Sequence, residues 1–123
     1  MIKVEIQKLS LIENDYFRDG CTWSAVKLIE AAKQCEVFDL PLAGISLDVR
    51  MWGGTETIHG FLYHAHRIEN ADLTYPIILD DRGTIADGWH RVCKAILQGH
   101  ETIKAVRLNK MPSPDSIESK KEE

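Results

Sequence analysis

Residues Asp87-Gly88-Trp89-His90-Arg91 put a carboxylate, a glycine, an indole, an imidazole and a guanidinium side by side. If they open a helix, the unpaired amides of its first turn and the positive end of its dipole attract an anion. Gly88 lets a ligand come close to the backbone, and Arg91 can grip two oxygens at once. His90 adds a donor whose charge is adjustable near neutral pH. Trp89 shares the turn and completes a candidate phosphate- or nucleotide-binding set of Gly88, Trp89, His90 and Arg91. Asp87 puts a negative charge beside that set. Either it caps the helix, or it helps hold a magnesium ion or a substrate hydroxyl next to the phosphates. The alternative to a phosphate site is a capped helix with a solvated His-Arg pair.

The flanking residues supply the elements that must position this pentad. Pro76 precedes the apolar run Ile77-Ile78-Leu79, a short buried strand. Asp80-Asp81-Arg82-Gly83 is turn chemistry, with Gly83 free to take positive φ. Thr84-Ile85-Ala86 returns as a second strand, and Asp87 is a good N-cap. Val92, Cys93, Ile96 and Leu97 follow at helical spacing, and Gly99 ends the helix. Residues 102–108 are β-prone again. The unit is strand, turn, strand, helix, strand.

A hairpin running into a Gly-x-x-Arg-type motif at a helix start resembles the ParB/sulfiredoxin superfamily, over roughly residues 45–108. Trp89 stands where sulfiredoxin-like members carry a reactive Cys, which argues against sulfur reduction here. The Glu-Arg-Arg version of partition proteins is absent, and no helix-turn-helix module follows. The Asp-Gly-x-His-Arg pattern is most similar to the ADP-dependent serine kinase-like branch and to small ParB-like proteins. The resemblance implies an α/β fold, a small mixed β-sheet with packed helices. It also implies a nucleoside di- or triphosphate with Mg2+ as ligand, and phosphoryl transfer or nucleotide hydrolysis as the reaction. In the kinase-like branch a carboxylate after the corresponding strand acts as general base. Glu56 is nearest to that place here, although a carboxylate in the first turn of the next helix also favours the dipole. Two other readings stay open: a ParB-like DNA-binding protein or nuclease, and a nucleotide-dependent switch acting through a protein partner.

A chain of 123 residues, 44% hydrophobic and 28% charged, fits one domain with a modest core. The net charge of −4 offers nucleic acid no general attraction. No apolar run approaches a membrane span and no secretory pattern opens the chain, so a cytoplasmic protein is expected. Cys21, Cys35 and Cys93 lack metal-type spacing and are expected to be reduced thiols.

Along the rest of the chain, Ile2, Val4 and Ile6 alternate with polar residues as a half-buried strand would. Asn14-Asp15 and Asp19-Gly20 suggest turns. Thr22 is placed to cap a helix whose buried stripe is Trp23, Val26, Ile29 and Ala32. Residues 45–52 show the clearest strand alternation, with Asp48 and Arg50 on the polar face, either pairing or facing a substrate cleft. Gly53-Gly54 lack the spacing of a phosphate loop. A helix over 57–70 buries Ile58, Phe61, Leu62, Ala65 and Ile68 and turns His59, Tyr63, His66 and Arg67 outward. There His66 and Arg67 could extend a positive pocket lining, while the spacing of His59, His64 and His66 does not suit a zinc helix. The expected domain spans 1–108, with a disordered, Pro- and Ser-rich tail over 109–123.

Overall fold

The computed structural model describes residues 2–6, 15–50, 52 and 55–118. Its centre is a four-stranded mixed sheet. The strands are β3 (Phe38–Pro41), β4 (Ile77–Leu79), β5 (Ile85–Asp87) and β6 (Thr102–Arg107), in the spatial order β3-β6-β4-β5. β4 and β6 are parallel, and the other two pairings are antiparallel. The two parallel strands run beside each other because β5 and helix α3 (Trp89–Leu97) carry the chain back between them. The expected strand, turn, strand, helix, strand unit is therefore present, and the protein is a small α/β domain.

Alternation along β4 and β6 sends side chains to two separate cores. Ile77, Leu79, Ile103 and Ala105 meet Val92 and Ala95 of α3 on one face. Ile78, Val106 and Leu108 meet Trp23, Leu28 and Ala32 on the other. All three residues of β4 are buried, as a strand covered on both faces requires. The second face is closed by helix α1 (Ala25–Ala32) and by a smaller antiparallel sheet of β1 (Tyr16–Arg18), β2 (Cys21–Trp23) and β7 (Ser116–Ile117), ordered β1-β2-β7.

A polar cluster joins the two sheets. Asp80, fully buried in the β4–β5 turn, accepts from Tyr16 Oη at 2.8 Å and Arg18 Nη1 at 3.0 Å. It also accepts from the amides of Arg82 at 2.9 Å and Thr84 at 2.8 Å. Burial alone would raise its pKa, but these donors outweigh it and hold the carboxyl below its usual range. Arg18 also pairs with Asp81 and lies over the Trp23 ring.

Several local expectations are corrected. Residues 2–6 form no strand: they pair with no strand among the described residues, and Ile2 and Val4 are exposed. The cap of α1 is Ser24, whose side chain accepts from the Lys27 amide, while Thr22 lies in β2. In α1 the buried residues are Leu28 and Ala32, and Val26 and Ile29 face outward. Residues 45–50 form no strand despite their alternation. A short 3-10 helix, Leu42–Gly44, ends β3 just before them, and 46–50 are exposed. The tail is ordered at least to residue 118: β7 pairs with β2, and Trp23 Nε1 donates to the Pro112 carbonyl at 2.7 Å. Asn14, Met51, Gly53, Gly54 and 119–123 lie outside the described residues. No helix among the described residues is long and apolar enough to cross a membrane, and Cys21, Cys35 and Cys93 are free thiols.

Candidate functional site

The site is built where β5 hands over to α3. Asp87 is the last residue of β5, opposite Ile78, and is not the cap of the helix. That position falls to Gly88, which takes φ +118°. A Cβ there would lie 2.5 Å from Ile77 Cγ2 and 2.8 Å from Ile77 Cβ. Packing against β4, as well as backbone conformation, thus requires glycine. The Asp87 carboxylate turns to Arg91 instead, accepting from Nη2 at 2.8 Å.

Arg91 is held on its other side too. Its Nη1 donates to the carbonyls of Tyr75 at 3.1 Å and Pro76 at 2.9 Å, just before β4 begins. The guanidinium therefore staples the first turn of α3 to the start of β4, with only 17% of its side chain exposed. This is a preset, charge-compensated cation at a helix start.

His90 looks the opposite way, toward helix α2 (Ile58–Glu69). Its Nε2 lies 2.9 Å from His64 Nδ1, so one ring donates and the other accepts. The two imidazoles are stacked 5.2 Å apart, and the Trp52 indole stacks on both, at 4.6 Å from His64 and 4.3 Å from His90. Burial, followed by the charge of Arg67, the His64 ring and Arg91, pushes the His90 pKa down to about 3. His90 is thus neutral at physiological pH and acts as a fixed hydrogen-bonding group.

α2 has nearly the expected limits, with Thr57 accepting from the Gly60 amide as N-cap and Asn70 at the C-cap. Its face is rotated from the one expected. Gly60 and His64 are buried, whereas Ile58, Phe61 and Leu62 are exposed. Lys94 Nζ donates to the carbonyls of Glu69 and Ala71 and closes the C-terminal end of α2 against α3.

Beside this helix pair runs a groove of about 1360 Å³, lined mainly by apolar side chains including Val49, Trp52, Phe61, Ile68, Trp89 and Leu97. Of the residues singled out in the sequence for a cleft or site, Arg50, Glu56 and Trp89 line it. Asp48 is exposed and does not line it, and Glu56 sits just ahead of the α2 cap, outside its first turn. Arg67 lies over the Tyr63 ring and is close enough to act on His90. His66 is exposed and pairs with Asn70, away from the pocket lining expected of it. Asp48, Glu56 and Asp87 do not converge, and no group of three metal-type ligands occurs among the described residues.

Sequence reasoning missed His64 and Trp52. The one available signal for His64 was its position four residues after Gly60, which puts it on the same face of α2 as the helix's smallest residue. Trp52 is the last residue of the stretch expected as a strand and gave no separate signal. In comparisons with known proteins, the chain matches no family model, no curated protein and no solved structure.

Proposed function

We propose that this chain is a ParB-like protein that binds nucleotide phosphate at the start of α3. One observation carries the reading: the Asp87–Arg91 ion pair lies across the first turn of a nine-residue helix, beside the neutral His90. A guanidinium already fixed by two carbonyls needs little further ordering to meet an oxyanion. An incoming phosphate would take the place of Asp87 on Nη2, forming a charge-assisted contact of the same kind. The released carboxylate would then lie beside the phosphates, where it is the residue suited to hold Mg2+. Mg2+ commonly uses one or two carboxylates together with phosphate oxygens and water.

Binding is the better-supported part of this reading. Phosphoryl transfer or nucleotide hydrolysis depends on positioning and charge neutralisation, and of the three expected carboxylates Asp87 is the one that contacts Arg91, which supports its role there. Calorimetry with ATP, ADP and CTP, with and without Mg2+, tests the site. Arg91→Ala is expected to weaken binding by about 1.5 kcal/mol or more, the worth of a contact to a charged group. Without Mg2+, Asp87→Asn is expected to tighten binding, because the competing carboxylate is gone. If a bound nucleotide turns over, Asp87→Asn abolishes that turnover. Equal affinity in the wild-type and Arg91→Ala proteins would remove Arg91 from the site and end this reading.

A further inference from the structure

We propose that the groove face of α2 and α3 is the contact surface for a second copy of this chain. On α2, Ile58, Phe61 and Leu62 recur at helical spacing and are 78%, 59% and 42% exposed. On α3, Leu97 is 78% and Ile96 37% exposed, and Leu47 of the preceding segment adds a side chain at 60%. A periodicity that ordinarily marks a core face is here turned outward, and Leu47, Val49, Phe61, Ile96 and Leu97 line the groove together.

Two quantities select a second copy as the occupant. The first is area. Taking a large apolar side chain as roughly 150–200 Å², the five that line the groove, with Val49 at 48%, offer roughly 500 Å² from each copy. Two copies then bury about 1,000 Å² before any polar rim is counted, the size a specific interface has to clear. The second is charge. The groove carries Arg50 and Lys94 together with Glu56 and Glu69. A two-fold axis brings a surface onto its own image, so a lining of balanced sign can meet opposite charges there. A strongly acidic or strongly basic partner would meet repulsion from half of the same groups.

The inference does not rest on the phosphate reading, since Asp87, Gly88 and Arg91 are not among the groove's lining residues. Sedimentation velocity of the full chain from about 1 to about 200 µM is the test, a range that brackets micromolar affinity. The wild-type protein is expected to pass from monomer to dimer within it. Leu97→Glu and Phe61→Glu should each raise the dimer dissociation constant about a hundredfold or more, with far-UV circular dichroism unchanged. Val26→Glu, which adds the same charge at an exposed apolar site on α1, should leave the dimer intact. A monomer at every concentration would overturn the proposal. So would a dimer indifferent to both groove variants, or one disrupted equally by Val26→Glu.

Discussion

Replacing Gly88 by Ala tests why the pentad contains a glycine. The residue has φ +118°, and an added Cβ would meet Ile77 Cγ2 at 2.5 Å and Arg91 Nη2 at 3.1 Å. Holding a side-chain-bearing residue in such a conformation costs about 1–3 kcal/mol. Overpacking adds about 1–3 kcal/mol, because Ile77 is fully buried and has no free space to move into. The sum, about 2–6 kcal/mol, is a large part of the roughly 5–15 kcal/mol that holds a typical domain together. Gly99→Ala is the matched control. It also has positive φ, +77°, but nothing lies within 4 Å of the added atom, so only a backbone cost of about 1–2 kcal/mol applies. Urea unfolding followed by tryptophan fluorescence measures both. At a slope of about 1.5 kcal/mol per M, Gly88→Ala should lower the midpoint by roughly 1.3–4 M and Gly99→Ala by about 1 M. Equal midpoints would refute the packing account and return Gly88 to a ligand-approach role.

Two further outcomes follow from the buried polar groups. His90 titrates near 3 when folded and 6.5 otherwise, so the unfolded chain binds the extra proton between those values. The stability due to neutral His90 is complete above about pH 6.5 and is lost as pH falls toward 3. Between pH 7 and 5 the loss has a ceiling of about 2 kcal/mol, or about 1 kcal/mol after allowing for partial solvation. Urea midpoints should show it in the wild-type protein and not in His90→Gln; parallel pH profiles would contradict the burial of His90. Asp80→Ala leaves the Arg18 guanidinium without its buried partner and should cost about 3–5 kcal/mol. Tyr16→Phe removes one of four donors and should cost about 1–2 kcal/mol. If the two variants unfold at the same midpoint, Asp80 is not the centre of that cluster.

Residues 75–108 were legible because their signals are local. A Pro, an apolar triplet, an Asp-Asp-Arg-Gly turn and a terminal glycine each specify the adjacent backbone without help from afar. Residues 45–50 show the limit of that approach. Ile45, Leu47 and Val49 alternate as a strand would, yet alternation makes a strand only where a partner offers hydrogen bonds, and β3 already occupies that edge of β6. α2 shows another limit. Its ends follow from Thr57 and Asn70, but which stripe turns inward depends on its neighbour, and α3 presents His90 rather than an apolar surface. The buried face accordingly centres on His64. At the candidate site, Asp87 and Arg91 both stood out in the pentad. Asp87 was expected to cap the helix or assist a metal, and the structure instead pairs it with Arg91 one turn on. The carbonyls of Tyr75 and Pro76 that complete it belong to another element and leave no mark on the spacing.

The small sheet has a consequence for how the chain is made. β2 lies between β1, two residues upstream of it, and β7, whose Ser116 and Ile117 come from the other end of the chain. Trp23 and Ser24 likewise find their partners, Pro112 and Asp115, 89 and 91 positions later. During synthesis, at about 5–20 residues per second, the outer edge of β2 therefore stays open for roughly five to twenty seconds. β6, which completes the central sheet, precedes β7 in the chain, so the central sheet does not depend on β7 for any of its strands. The last dozen residues described then act as a latch, and a stalled or clipped chain would expose an unpaired strand beside an uncovered indole.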